Sequence, residues 1–124
     1  MRQHELPTPC YLVDIPKLEE NLKILRGVMD RTGCHILLAQ KAFSMYALYP
    51  FIGQYLTGCA ASGLFEARLG REEMNKENHV FSPAYREDEF EEILSLSDHI
   101  VFNSCAQLEK FGPRAKAAGK SIGL

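Results

Sequence analysis

The sequence has 124 residues, 46% hydrophobic and 24% charged, with a net charge of −2 from 14 Lys and Arg against 16 Asp and Glu. Those proportions fit one globular domain or a piece of a larger one, and they exclude a disordered tail, which carries fewer apolar residues and more net charge. The near-neutral balance offers no electrostatic footprint for nucleic acid and no basic helix for a membrane surface.

In chain order, short apolar runs alternate with longer amphipathic ones. CYLVD (10–14) reads as a strand. Pro16 then opens a helix at its first turn, where a missing N–H costs nothing. That helix carries Leu18, Leu22, Leu25 and Val28 on one face, runs to about Asp30 and is stopped by Gly33. HILLAQ (35–40) is a continuous apolar run, as expected of a strand buried on both faces. A helix is expected over Ser44 to Leu56, with Pro50 bending it or moving its start. GCAAS (58–62) is a strand, Leu64–Arg71 a helix, and HVFS (79–82) a strand. Glu87–Leu96 is a helix with acidic residues in its first turn, where the macrodipole favours them. HIVFNS (99–104) is a strand, Asn103 or Ser104 caps a helix that reaches Ala118, and KSIGL (120–124) begins a further strand.

Strict strand–helix alternation every 20 to 25 residues means a parallel sheet with helical crossovers. Two α/β architectures fit: a doubly wound sheet or part of a (β/α)₈ barrel. A full barrel takes about 250 residues, so this length supplies about half of one. A chain ending on a parallel strand with no helix after it is expected to be an N-terminal fragment.

The start, MRQHELPTPC, has no apolar core of a secretory signal, and no apolar run approaches the roughly 20 residues of a membrane helix. Cys10, Cys34, Cys59 and Cys105 form no CxxC pair and no zinc spacing, so no metal site is expected and the thiols read as free in a reducing cytoplasm.

Sites in parallel α/β folds form at the carboxyl ends of strands. His35, His79 and His99 each precede an apolar run, which assigns them to the amino ends, the stability face. The carboxyl ends carry Gln40-Lys41, Ser62-Gly63, Ser82 and Asn103-Ser104. Lys41 stands out, because burial at a strand mouth would disfavour the ammonium and leave an amine able to form a Schiff base. A lysine that snorkels to solvent is the plainer alternative. Ser62-Gly63 and Asn103-Ser104 suit helix caps better than anion sites. The acidic run REDEFEE (86–92) reads as a solvated helix face, and no GxGxxG or GxxxxGK[ST] occurs.

TPCYLVD (8–14) and ILLAQKAF (36–43), followed by ASGLFEARLGREE (61–73), HVFSPAYREDEFEEIL (79–94) and DHIVFNSCAQLEKF (98–111), resemble the fold-type III pyridoxal-phosphate enzymes. Within that alanine racemase-like group the resemblance is to the carboxynorspermidine (carboxyspermidine) decarboxylases; Lys-Ala-Phe and SPAY (82–85) mark this subgroup. Cys59-Ala60-Ala61 departs from the ornithine-specific relatives, which carry an acidic residue there.

The resemblance implies a partial TIM-like (β/α)₈ barrel, truncated before closure. It implies pyridoxal 5'-phosphate held by Lys41, which is both the catalytic and the cofactor-binding residue expected here. The implied reaction is decarboxylation of carboxynorspermidine or carboxyspermidine, small carboxylated polyamines, to norspermidine or spermidine. Residues 1–14 are expected to hold a strand that pairs with a C-terminal β domain, and 15–124 the N-terminal half of the barrel. A cytoplasmic homodimer is implied, with no nucleic acid or membrane partner, and the 124 residues alone are expected to be inactive. Diaminopimelate decarboxylase, and a non-catalytic cofactor carrier or regulator of the same fold, are the alternatives.

Overall fold

A computed structural model describes residues 6–124. Five strands alternate with helices: α1 (Ile15–Thr32), β1 (Leu37–Ala39), α2 (Tyr49–Ile52), β2 (Gly58–Ala61), α3 (Leu64–Leu69), β3 (Glu77–Phe81), α4 (Phe90–Leu96), β4 (His99–Val101), α5 (Cys105–Ala117) and β5 (Ser121–Gly123). Every strand pair is parallel, and the spatial order β1-β2-β3-β4-β5 equals the chain order. Strand order decides between the two architectures. A doubly wound sheet reverses its order at a switch point, whereas right-handed crossovers in an unreversed sheet keep all helices on one face. The fold is therefore α/β with an arc of a TIM-like barrel, and the sheet is not closed.

Local chemistry explains most boundaries. Asp14 caps α1 by accepting from Lys17 N at 3.1 Å, and Pro16 sits in the first turn. Gly33 ends the helix at φ 72°, where its N–H reaches Met29 O and a side chain would be strained. Ser104 caps α5 by accepting from Gln107 N at 3.3 Å.

The strands and helices depart from the sequence pattern in four places. CYLVD (10–14) forms no strand. Tyr11 is 96% and Leu12 56% exposed, since a strand needs a neighbour's backbone and none of the five strands offers one. The helix expected over 44–56 shrinks to a 3₁₀ turn at Tyr46–Leu48 and the single turn of α2, because Pro50 has no N–H to give and can only start a helix. The strand within 35–40 is only half-buried over Leu37 and Leu38, because β1 is an edge strand and one sheet face carries no helices. The helix expected from Glu87 begins at Phe90, and the preceding turn sets Glu87 against Lys110 and Arg114 of α5.

The core lies between helices and sheet. One cluster gathers Val80, Phe90, Ile93, Ile100, Phe102 and Phe111; a second gathers Leu22, Tyr49, Ile52, Leu56, Cys59 and Met74. Cys59, Ala61, Asn78, Val80 and Ile100 point into it. By strand alternation Ala60, Glu77, His79, Phe81, His99 and Val101 point to the opposite, concave face. That placement corrects the reading of His79, which lies in the middle of β3 rather than before it; His35 does precede β1 and is exposed. Among the described residues no helix is long and apolar enough to cross a membrane.

Candidate active site

The chain leaves β1 through Gln40 and turns at once, with Ala42 N and Phe43 N both donating to Ala39 O at 3.0 and 3.2 Å. Gln40 N still reaches Ala60 O at 3.2 Å, so the β1–β2 pairing extends to the residue before the lysine. The Gln40 side chain is 1% exposed and is held on the helix side, where the Tyr49 hydroxyl donates to Gln40 Oε1 or to Phe43 O. Tyr49 is itself completely buried, and that burial pushes its hydroxyl up to about 12, so it stays a neutral donor. Pinning Gln40 on one face leaves Lys41 to the other.

Lys41 opens onto a pocket of about 120 Å³ lined by Ala39, Ala60, Ala61, Ser62, Glu66 and Phe81. All of these sit at the carboxyl ends of β1, β2 and β3 or in the first turn of α3, the end where barrel enzymes build their sites. The Lys41 side chain is exposed, which corrects the expectation of burial: it lies beyond the end of an edge strand, and no described residue covers it from the far side.

Ser62 does not offer its N–H to a ligand. Its N and Oγ both donate to Glu66 Oε2, at 2.6 and 2.8 Å, which draws Glu66 toward the pocket; Gly63 stands at the N-cap of α3, and the Ser62 side chain caps no helix N–H. Ser104 does cap α5, and Asn103 is exposed beside it. Glu66 and Phe81 were not singled out by sequence reasoning. Phe81 could have been, since it closes a strand on the same side as Lys41; Glu66 had only its place one turn after Ser62.

Two buried networks tie the inner strands β2, β3 and β4 together. In SPAY (82–85) the chain doubles back after β3, so that the Tyr85 hydroxyl lies 3.1 Å from Val80 O and 2.8 Å from Val101 O and accepts from Ser82 N at 3.3 Å. It ties the ends of β3 and β4 together, and burial pushes it up to about 12. On the helix side, Cys59 Sγ donates to Asn78 Oδ1 at 3.4 Å, while Asn78 Nδ2 donates to Ala67 O and Leu96 O. A π-helical turn over Gly70–Met74 follows α3 and packs so close that a Cβ on Gly70 would overlap Cys59 Sγ. Burial pushes the Cys59 thiol up to about 11, which makes it a packing group and not a nucleophile.

No family model matches the sequence. The chain is 44% identical, over all of its length, to the carboxynorspermidine/carboxyspermidine decarboxylase of Campylobacter jejuni. This chain is a homologue of that decarboxylase. It is also 34% identical over 96% of its length to the enzyme of the same name from Herminiimonas arsenicoxydans. Over 99% of its length it is 36% identical to the carboxyaminopropylagmatine decarboxylase of Synechocystis. The crystal structure of carboxynorspermidine decarboxylase from Campylobacter jejuni, complexed with norspermidine, superposes on 96% of this chain with a TM-score of 0.92 and 44% identity. The chain spans about a third of the length of these relatives: 32% of the Campylobacter protein and of its crystallised chain, and 33% of the Herminiimonas one.

Proposed function

We propose that this chain supplies the lysine-bearing arc of a pyridoxal-phosphate-dependent carboxy-lyase that converts carboxynorspermidine or carboxyspermidine to norspermidine or spermidine. The observation that carries the reading is Lys41 at the mouth of the strand-end pocket, in a chain homologous along its whole length to a decarboxylase of those substrates.

The pocket suits the aldehyde end of such a cofactor. It offers a primary amine at its rim, and Ala39, Ala60 and Ala61 as small walls against which a flat ring can lie. Phe81 adds an apolar edge that limits water on that side. No arginine and no second lysine lines it, so the cofactor's phosphate is held by residues other than these. When bound, the cofactor supplies a conjugated sink for the electron pair left by a departing carboxylate.

The chain's own residues do the positioning. The buried Gln40 and the turn at Ala39–Phe43 fix the backbone that carries Lys41. Glu66, held in place by Ser62, puts a carboxylate beside a pocket meant for a polyamine, whose amines are cationic at neutral pH. The complete protein works as a homodimer, and the exposed Tyr11-Leu12 segment pairs with a second, β-rich domain.

A substrate panel tests the reading. Protein made from the complete reading frame, supplied with cofactor, should release CO₂ from carboxynorspermidine and carboxyspermidine and not from diaminopimelate. The Synechocystis relative makes carboxyaminopropylagmatine a further acid to include in the panel. CO₂ from diaminopimelate alone, or from none of the acids, contradicts the proposal.

A further inference from the structure

His79 and His99 are register partners on adjacent parallel strands, β3 and β4, and both side chains lie on the concave face. Their ring centroids are 4.9 Å apart and the ring planes are tilted by 30°. The pair sits in a chain of polar groups that crosses the sheet. His35 Nδ1 lies 2.9 Å from Glu77 Oε2, Glu77 Oε1 lies 3.3 Å from His79 Nε2, and His99 Nδ1 lies 2.6 Å from Ser121 Oγ. Segments next to β1, β3, β4 and β5 are thus linked without any backbone bond between the ends of the chain of contacts.

The charge count in this cluster is uneven. Among the described residues, the titratable groups facing the two rings are Glu77 and, through it, His35. Across the register β2 offers only Gly58 and Ala60, and β5 a hydroxyl, Ser121, and Gly123. One carboxylate therefore serves three imidazoles. Two imidazolium rings in contact repel, and only one of them touches the carboxylate.

We propose that His79 and His99 act with Glu77 and Ser121 as a pH-sensitive brace across the concave face, intact while the pair holds no more than one proton and broken when the second ring is protonated. Two details support it. Burial, then the neighbouring His79, hold the His99 imidazole below its ordinary value, while Glu77 pulls weakly the other way. Burial pushes Glu77 up, but its bonds from His79 and His35 outweigh that and leave its carboxyl below the usual range, so it stays the anion of the cluster.

The sign follows from the lowered value of His99. The folded state takes up its proton less readily than the unfolded chain does, so the contribution is complete above the ordinary histidine value of about 6.5 and is lost as pH falls through the folded-state value. The brace also sits under the pocket. Ala60, in register with His79, and Phe81, two residues further along β3, both line it. Acidification would loosen the pocket floor whatever the pocket binds, so the inference stands apart from the proposed reaction.

The test is unfolding by urea at pH 7.5 and 5.5, on protein made from the complete reading frame. The unsubstituted protein should lose stability at the lower pH. His99→Gln keeps a hydrogen bond to Ser121 but takes no proton, and should shrink the pH-dependent change in the unfolding constant by about threefold or more. Adding His79→Gln should flatten it little further, because the two rings act as one site. Unchanged pH dependence in His99→Gln overturns the proposal. ¹⁵N NMR of the unsubstituted protein covers the case in which a variant does not fold. Two separated titration steps support the brace, and two independent rings titrating near the ordinary value overturn it.

Discussion

Gly70 packs directly against Cys59 on the helix side of the sheet. A methyl group on Gly70 has no room against Cys59 Sγ, with Gln40 and Asn78 close behind. Gly70→Ala should cost about 1–3 kcal/mol, the usual cost of overpacking a rigid site. Cys59→Ala removes the sulfur, so the double variant should be markedly less destabilised than the sum of the two; additive costs in a double-mutant cycle would refute the contact. Tyr85 makes the second prediction at this scale. Tyr85→Phe leaves the Ser82 N–H and the Val101 carbonyl without their buried partner and should cost about 1–3 kcal/mol by urea unfolding. Lys41 shows what was legible at this scale. Its place at a strand's carboxyl end follows from the apolar run before it and from alternation. Its exposure does not, because exposure depends on which neighbours cover an edge strand.

The two helices with a side-chain cap start where the sequence places them, and so does α3, which has none. Asp14-Ile-Pro and Asn103-Ser104 announce α1 and α5, and both side chains make the bonds their identity suggests. α2 and α4 have no side-chain cap, and there the periodic apolar pattern overran the true start. CYLVD (10–14) has strand composition, yet pairing decides a strand and composition cannot report a missing neighbour. The amino ends of β3 and β4 carry a prediction of their own. Asp98 Oδ2 accepts from Arg71 Nη2 at 2.8 Å and from Asn78 N at 2.9 Å. Burial pushes Asp98 up, but the Asn78 N–H and the Arg71 guanidinium outweigh it and hold the carboxyl below its usual range. The folded-state value is lowered, so this stabilisation is complete above about pH 4 and lost as pH falls through that value. Asp98→Asn should cost about 1 kcal/mol at pH 7, kept small by the exposure of the pair, and less near pH 2. An equal cost at both pH values would contradict the assignment.

Across the whole molecule, the arc of five parallel strands is what the alternating rhythm predicts, and the unreversed strand order is what the rhythm alone left open. β1 and β5 are edges with one neighbour each, and the concave face leaves Phe81 exposed. Parallel sheets are ordinarily covered on both faces, and the relatives are three times as long. The 124 residues expressed alone should therefore show no cooperative thermal transition by calorimetry. A single sharp transition would show that the arc is self-sufficient. The central claim is that Lys41 carries the cofactor of a decarboxylase, and its most direct test is chemical. Protein made from the complete reading frame, loaded with pyridoxal phosphate and reduced with borohydride, should yield on peptide mapping a pyridoxyl group on Lys41 and no label in a Lys41→Ala variant. A folded, cofactor-supplemented protein with Lys41 unlabelled would contradict the account.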